Sequence, residues 1–462
     1  MKPSAYNYIT RMPDGTRLLF NFYTLNLLTL DQPESDLAEK ILENPERYLA
    51  ESQGMSLFDT LIEKGFIIED RVNELEILEN DYRKGCADRK NLSLTILPSL
   101  ACNFRCVYCY QKENVQRMRR EVQDAIICLV EKNLNERGSL SVNWFGGEPL
   151  LQMDIIGRLS KEFIRISKNR DSNYSASIVT NGYLLDRENV KKLEKWQVNE
   201  AQVTLDGPQE IHDQRRALKG GQKTFRTIVE NIKEASEKIK ISVRMNVDET
   251  NKNSIRDVIE ILVQEGLEQR VAFYLGQTYP YTEICKDIDG SCLSNEVYSL
   301  LGLKTLMLLA EHGFSSSFWI PSSRSSYCTA DRDSSFVITP SGGIVNCWNE
   351  TADSNKEIGH LLKAPTGNMG KYAQSWKKYN PFERKECVDC VLLPICMGGC
   401  PYRFRLTGKS DCHKWKYHLR ESLAYYYYYM TAKREKEIMQ HIQKAAEMVG
   451  RIKEVSELSA SA

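Results

Sequence analysis

Hydrophobic and polar positions change rhythm along this chain. Residues 6–11 and 17–23 alternate apolar and polar side chains around Pro13-Asp14-Gly15, the pattern of two strands joined by a hairpin turn. A third short strand is expected at 25–30. The period then lengthens to that of helices near 36–42, 56–64 and 71–84, with Gly65 as a stop after the second. Strands followed by helices predict a small α+β module over residues 1–88. From Asn91 the two rhythms alternate. Strands are expected at 92–97, 140–144, 176–180, 200–205, 241–247 and 271–275, and helices at 122–134, 156–166, 187–195, 224–239 and 253–265. Such β/α repeats predict a parallel sheet with right-handed crossovers, here an α/β partial (β/α)6 barrel over 89–315. Chemistry in such barrels sits at the C-terminal ends of the strands. From His413 the pattern is that of one long helix, carrying the unbroken run Tyr425 to Tyr429. The segment 416–462 is assigned to this helix, with frayed ends from Ser456 to Ala462.

Composition narrows the classes. The chain has 462 residues, with 62 Lys and Arg against 62 Asp and Glu. No basic field favours nucleic acid or an anionic membrane. The first residues lack the apolar stretch of a signal peptide, and no apolar run reaches membrane-spanning length. A soluble, cytoplasmic protein is expected. Its fourteen cysteines then point to metal binding rather than disulfides. Cys86 and Cys128 fall in helical patterns and read as ordinary buried side chains.

The first cysteine run is Cys102-Asn103-Phe104-Arg105-Cys106-Val107-Tyr108-Cys109. Three thiols at this spacing can ligate three irons of a four-iron cube, leaving the fourth iron open to a small chelating molecule. A zinc knuckle would need a fourth Cys or His nearby, and Tyr110-Gln111-Lys112 supplies none. The spacing resembles the cluster loop of the radical S-adenosylmethionine (SAM) enzymes. That resemblance implies SAM chelated at the open iron, its reductive cleavage to a 5'-deoxyadenosyl radical, and Tyr108 lying against the adenine. Gly146-Gly147-Glu148 resembles the family's motif for the SAM amino group. Thr180-Asn181-Gly182, Thr204-Leu205-Asp206-Gly207-Pro208 and the run from Ile211 to Arg216 resemble segments of the sulfatase-maturase-like branch. The match implies SAM contacts for Asn181, Thr204, Arg216 and Leu275. Arg244 is a candidate for the SAM carboxylate, which suits paired guanidinium donors; a pair with an acidic neighbour is the alternative. His212 reads as structural.

A second cysteine region follows: Cys328, Cys347, Cys387-x2-Cys390-x5-Cys396-x3-Cys400 and Cys412. It resembles the SPASM domain, assigned to 316–415, which carries two auxiliary [4Fe–4S] clusters; two zinc sites are the alternative. By that resemblance Cys387, Cys390, Cys396 and Cys412 hold the distal cluster, and Cys328, Cys347 and Cys400 the proximal one. The proximal set is one ligand short, with Asp331, Asp333, Cys285, Cys292 or an open iron to complete it. Trp348 stands where sulfatase maturases carry an aspartate base, which argues against formylglycine chemistry by the usual route.

The N-terminal module is winged-helix-like and similar to the leader-peptide recognition element of enzymes that modify ribosomally made peptides; a plain cap is the alternative. Together these resemblances imply a radical SAM/SPASM oxidoreductase. It would hold three [4Fe–4S] clusters and SAM, and be reduced by a donor such as flavodoxin or ferredoxin. It would take hydrogen from a precursor peptide to install a crosslink or backbone modification. Neither nucleic acid nor membrane is expected as a partner, and no side chain is assigned as catalytic. The rivals are a maturase of a protein or small molecule, and a non-catalytic iron–sulfur electron carrier.

Overall fold

The computed structural model describes residues 1–12, 15–50, 55–111, 114–315 and 322–435. Pro13 and Asp14 of the expected hairpin turn lie outside them, as do Lys112 and residues 436–462, including Ser456 to Ala462. The chain forms two compact units. Of the described residues, one unit takes 88–315 and 329–377, and the other takes 1–87, 322–328 and 378–435. The segment 316–415 thus contributes to both.

In the smaller unit, strands β1 (Asn7–Arg11), β2 (Arg17–Asn21) and β3 (Leu27–Leu30) form an antiparallel sheet with β2 central. Asn7 pairs with Asn21 and Arg11 with Arg17, the register of a hairpin. Helices Gln32–Glu43, Met55–Glu63 and Glu74–Ala87 follow, with a further short helix, Pro45–Ala50, between the first two. The first starts at a reciprocal capping box of Asp31 and Glu34. Leu19, Ile41, Phe58, Leu61 and Phe66 close the core between sheet and helices. Elements distant in sequence share this unit. Trp415 stands edge-on to Phe22 at 6.0 Å, and Tyr426 edge-on to Phe20 at 6.0 Å. The aromatic run on helix Leu419–Glu435 therefore meets the N-terminal sheet through Tyr426.

The larger unit contains the barrel. Strands β4 (Asn91–Ile96), β5 (Ser139–Trp144), β6 (Asn173–Thr180), β7 (Val198–Thr204), β8 (Lys240–Val247) and β9 (Val271–Gln277) are parallel and adjacent in chain order. The sheet continues past β4. Strand β10 (Ser335–Ile338) runs parallel to β4, and β11 (Gly343–Val345) and β12 (Gly359–His360) add antiparallel, nine strands in all. Both faces of a parallel sheet are covered in such folds. On the helix side, Val203, Val243, Met245 and Leu275 are buried. Helix Met153–Asn169 supplies Ile155, Ile156, Leu159, Phe163 and Ile166 at helical spacing to this core. On the opposite side of β7 and β8, alternation places Gln202, Thr204, Arg244 and Asn246. No helix among the described residues is long and apolar enough to cross a membrane.

Candidate active site

Strand β4 ends at Ile96, and the chain passes through a short strand, Ser99–Leu100, into the three-cysteine loop. The loop is fixed from two sides. Arg105 N donates to Ala217 O at 2.9 Å, Val107 N to Arg215 O at 3.1 Å, and Lys219 N to Asn103 O at 2.7 Å. On the other side Gly147 N donates to Ser99 O at 3.2 Å, and Glu148 N to Ala101 O at 2.9 Å. This approach explains both glycines. Gly146 has φ +126°, and a Cβ at Gly146 or Gly147 would overlap the Ser99 or Ala101 carbonyl.

Cys102, Cys106 and Cys109 all line one cavity of about 280 Å³ at the C-terminal mouth of the barrel. Tyr108, Gly146, Gly147, Asn181, Thr204, Arg216 and Arg244, expected around SAM, line the same cavity. Burial pushes the Cys106 thiol up to about 11 and the Cys102 thiol up to about 12, so bound iron would have to displace their protons. Asn181 Nδ2 bridges to Asn103 Oδ1 at 2.8 Å, bracing the loop beside Cys102.

Two expected residues are placed differently. The Glu148 side chain is fully buried and does not line the cavity. Its carboxylate accepts from Leu150 N at 2.9 Å, Thr180 Oγ1 at 2.8 Å and Asn181 N at 2.8 Å, holding the turn after β6. Burial nevertheless pushes its carboxyl up to about 6. Leu275 pairs with Met245 across β8 and β9, and both are buried in the hydrophobic core instead of the cavity lining. Cavity-facing residues on β8 have the opposite parity.

The main polar network was not evident from the sequence. The Tyr108 hydroxyl donates to Asp206 Oδ2 and accepts from Arg216 Nη1 at 2.5 Å and Asn246 Nδ2 at 3.0 Å. Burial raises the Tyr108 hydroxyl above its ordinary range, so it remains a donor. Asp206 is fully buried and also faces Arg216 at 3.9 Å. Arg215 makes a two-pronged pair with Asp248 at 3.1 and 2.7 Å. His212 Nδ1 accepts from Asp206 N at 3.2 Å, a structural role. The signal for Asn246 was its position two residues after Arg244 on one strand face. Asp206 lies inside the Thr204-Leu205-Asp206-Gly207-Pro208 run, whose resemblance implies no role for it.

In the smaller unit Cys387, Cys390, Cys396 and Cys412 line a second cavity, together with Lys416. Three consecutive left-handed residues, Met397, Gly398 and Gly399, turn the chain after Cys396, and Gly399 pairs with Asp411 to bring Cys412 back. Arg384 Nη2 donates to Cys387 Sγ at 2.7 Å. Of the other expected ligands, Cys328 and Cys400 belong to the smaller unit and Cys347 to the larger. Trp348, next to Cys347, packs tilted against Phe145 at 6.1 Å. The Cys285 and Cys292 thiols point to carbonyls of their own loop, Thr282 O at 3.4 Å and Ile288 O at 3.3 Å. Among the described residues, no group of three or more His, Cys, Asp or Glu side chains converges on a single-ion site. Several thiols around one cavity is the arrangement a larger cluster needs.

A parallel partial barrel with three thiols and a buried cation at one mouth defines a class built to hold a metal cluster beside a small polar ligand. Residues 96–262 match the family model of the Radical SAM superfamily. Over these residues the chain carries a radical SAM domain. It is 30% identical over 173 residues to the Fe-coproporphyrin III synthase of Methanosarcina barkeri, a match covering 37% of this chain and 41% of that protein. It is 27% identical over 175 residues to the sporulation killing factor maturation protein SkfB of Bacillus subtilis, covering 38% and 40%. The matched regions thus span about two fifths of these relatives' lengths. Two solved structures share the fold. Native anSMEcpe with bound AdoMet and Cp18Cys peptide gives a TM-score of 0.54 at 19% identity, covering 78% of this chain and 100% of that one. Streptococcus suis SuiB bound to precursor peptide SuiA gives 0.52 at 14% identity, covering 88% and 96%.

Proposed function

We propose that this protein is a radical SAM peptide maturase, which uses SAM to take a hydrogen atom from one residue of a ribosomally made precursor peptide. The observation that carries the reading is the convergence of Cys102, Cys106 and Cys109 with Gly147, Thr204 and Arg216 on one cavity. The residues present fit a [4Fe–4S] cluster: three thiols, no fourth protein ligand in the loop, and a neighbouring cation to offset thiolate charge. When bound, such a cluster supplies a reducing electron and an open iron for the amino-acid end of SAM. The chain itself does the positioning. Gly147 packs its backbone against the cluster loop at the cavity wall, Thr204 offers a hydroxyl from the end of β7, and Arg216 sets a positive charge against the loop. Tyr108 and Asp206 hold Arg216 in place.

The peptide part rests on SkfB by its name and on the peptides bound to anSMEcpe and SuiB. The four thiols around the second cavity support a distal auxiliary cluster. By the SPASM resemblance of the sequence, a proximal auxiliary cluster and leader binding by the N-terminal module complete the proposal. The product is a crosslink or backbone change, with flavodoxin or ferredoxin as electron donor. The test is anaerobic incubation of the iron-reconstituted protein with SAM, dithionite and a short peptide encoded beside its gene. 5'-Deoxyadenosine and a mass change in the peptide are expected. No 5'-deoxyadenosine under reduction would overturn the reading.

A further inference from the structure

One cation lining the cavity faces no carboxylate among the described residues. Arg216 faces Asp206 at 3.9 Å and Arg215 faces Asp248 at 2.7 Å. Arg244, from the middle of β8, also lines the cavity but makes no ion pair among the described residues. Its Nε donates to Asn246 Oδ1 at 2.8 Å, and the ionisable groups acting on it are Tyr274, Tyr281, Tyr298 and Tyr108. The guanidinium is half-buried in the cavity wall. An anion that enters the cavity would balance its charge and find two parallel donors.

SAM is a poor candidate for that anion. Its single carboxylate belongs, on the proposed function, at the open iron beside the thiols. The cation acting most strongly on Cys106 is Arg216, which also acts on Cys109. Arg244 instead adjoins the aromatic side of the cavity, where Tyr110 and Tyr281 rings meet at 5.9 Å and Tyr279 and Tyr281 at 5.2 Å. Gly276 there leaves its side-chain space to the Arg244 guanidinium.

We infer that Arg244 is a substrate anchor: it binds a carboxylate of the peptide, from an acidic side chain or a C-terminus, beside the tyrosine wall. This rests on the proposed function and narrows its substrate class.

The probes are acetylated, amidated pentapeptides that differ only in a central Glu, Asp, Gln or Leu, plus the Leu peptide with a free C-terminal carboxylate. Their affinity for the SAM-loaded, reconstituted protein is measured by calorimetry, alongside the affinity for SAM. The wild type should prefer a carboxylate peptide over its amide counterpart by about tenfold. Preference for Glu or Asp identifies a side chain as the source, and preference for the free acid identifies the C-terminus. Arg244→Gln should erase the preference while SAM affinity changes less than about twofold, and Arg244→Lys should keep part of it, since it retains charge but not the fork. No preference in the wild type, or a preference that survives Arg244→Gln, overturns the assignment. A fall of about tenfold in SAM affinity in Arg244→Gln, with iron content and Arg244→Lys normal, also overturns it, because the carboxylate would then be SAM's. If the wild type failed to bind SAM, the proposed function would fall, while the same peptide comparison on the reconstituted protein without SAM would still decide Arg244.

Discussion

Gly276 makes room for Arg244: a Cβ on Gly276 would overlap the guanidinium at Nε and Nη2. The two residues lie on neighbouring strands, and Gly276 pairs with Asn246, two residues beyond Arg244. Gly276→Ala should therefore push Arg244 off its bond to Asn246 and cost about 1–3 kcal/mol of stability, as overpacking does. Thermal unfolding reads the stability. The carboxylate preference of the peptide panel should weaken in parallel, and an unchanged preference would show that Arg244 does not need this space.

Cys106 sits in the middle of the cluster loop, held by the bonds of its neighbours Arg105 and Val107 to the 215–217 segment. Its replacement leaves that backbone frame intact. Cys106→Ala should abolish reductive release of 5'-deoxyadenosine while the peptide still binds. Chromatography of the nucleoside product checks this. Product formation by the variant would mean that SAM is cleaved elsewhere.

The barrel was legible because its rhythm is long and repeated. The helix expected at 187–195 is found as Arg187–Lys195, and the strand expected at 241–247 as Lys240–Val247. Shorter elements carry no period. Strands β10 to β12 have two to four residues each, too few for alternation to register, and their joining to β4 is a long-range pairing. The helix Pro45–Ala50 escaped for the same reason. In the site, motifs located the cavity-lining residues but not the direction each side chain takes. Glu148 turns inward to cap the turn after β6, and Leu275 goes to the core by the parity of its strand. The Tyr108–Asp206–Arg216 network joins three separate loops, and no local pattern encodes it.

Glu148 makes stability depend on pH in an unusual direction. Burial raises its carboxyl from the ordinary 4.5 to about 6, against hydrogen bonds from Asn181, Leu150 and Thr180. The folded chain then binds this proton more tightly than the unfolded chain. Its contribution is most favourable below about pH 4.5 and is lost as pH rises through about 6, by roughly 2 kcal/mol. Glu148→Gln cannot titrate, so its cost relative to wild type should be larger at pH 4.5 than at pH 7. Urea unfolding of the cluster-free protein at both values measures this. Equal costs would show that burial does not raise the carboxyl.

The cysteine pattern of the sequence, by its resemblance to radical SAM and SPASM domains, predicts the metal content. The reconstituted protein should hold about twelve irons per chain, four for each of three clusters. Joint replacement of Cys102, Cys106 and Cys109 by alanine should leave about eight, because the other seven thiols are untouched. Metal analysis by emission spectroscopy decides it. About four irons in the wild type, accompanied by zinc, would refute the auxiliary clusters.

The N-terminal sheet offers a test of leader binding that avoids deleting it. Removing residues 1–87 would strip Phe20 and Phe22 from Tyr426 and Trp415, so lost binding would be ambiguous. The sheet's two outer strands also differ. At the end of β1, the Arg11 carbonyl already accepts from Arg420 Nη2 at 3.0 Å. Strand β3 pairs with β2 on one side, and among the described residues no strand lies on its other side. An extended leader can add there, exchanging backbone hydrogen bonds with the unpaired edge. Adding the precursor peptide should slow amide hydrogen exchange at Leu27–Leu30, leaving the barrel strand Lys240–Val247 unchanged. Protection confined to β1, or absent from the whole module, would place the leader elsewhere.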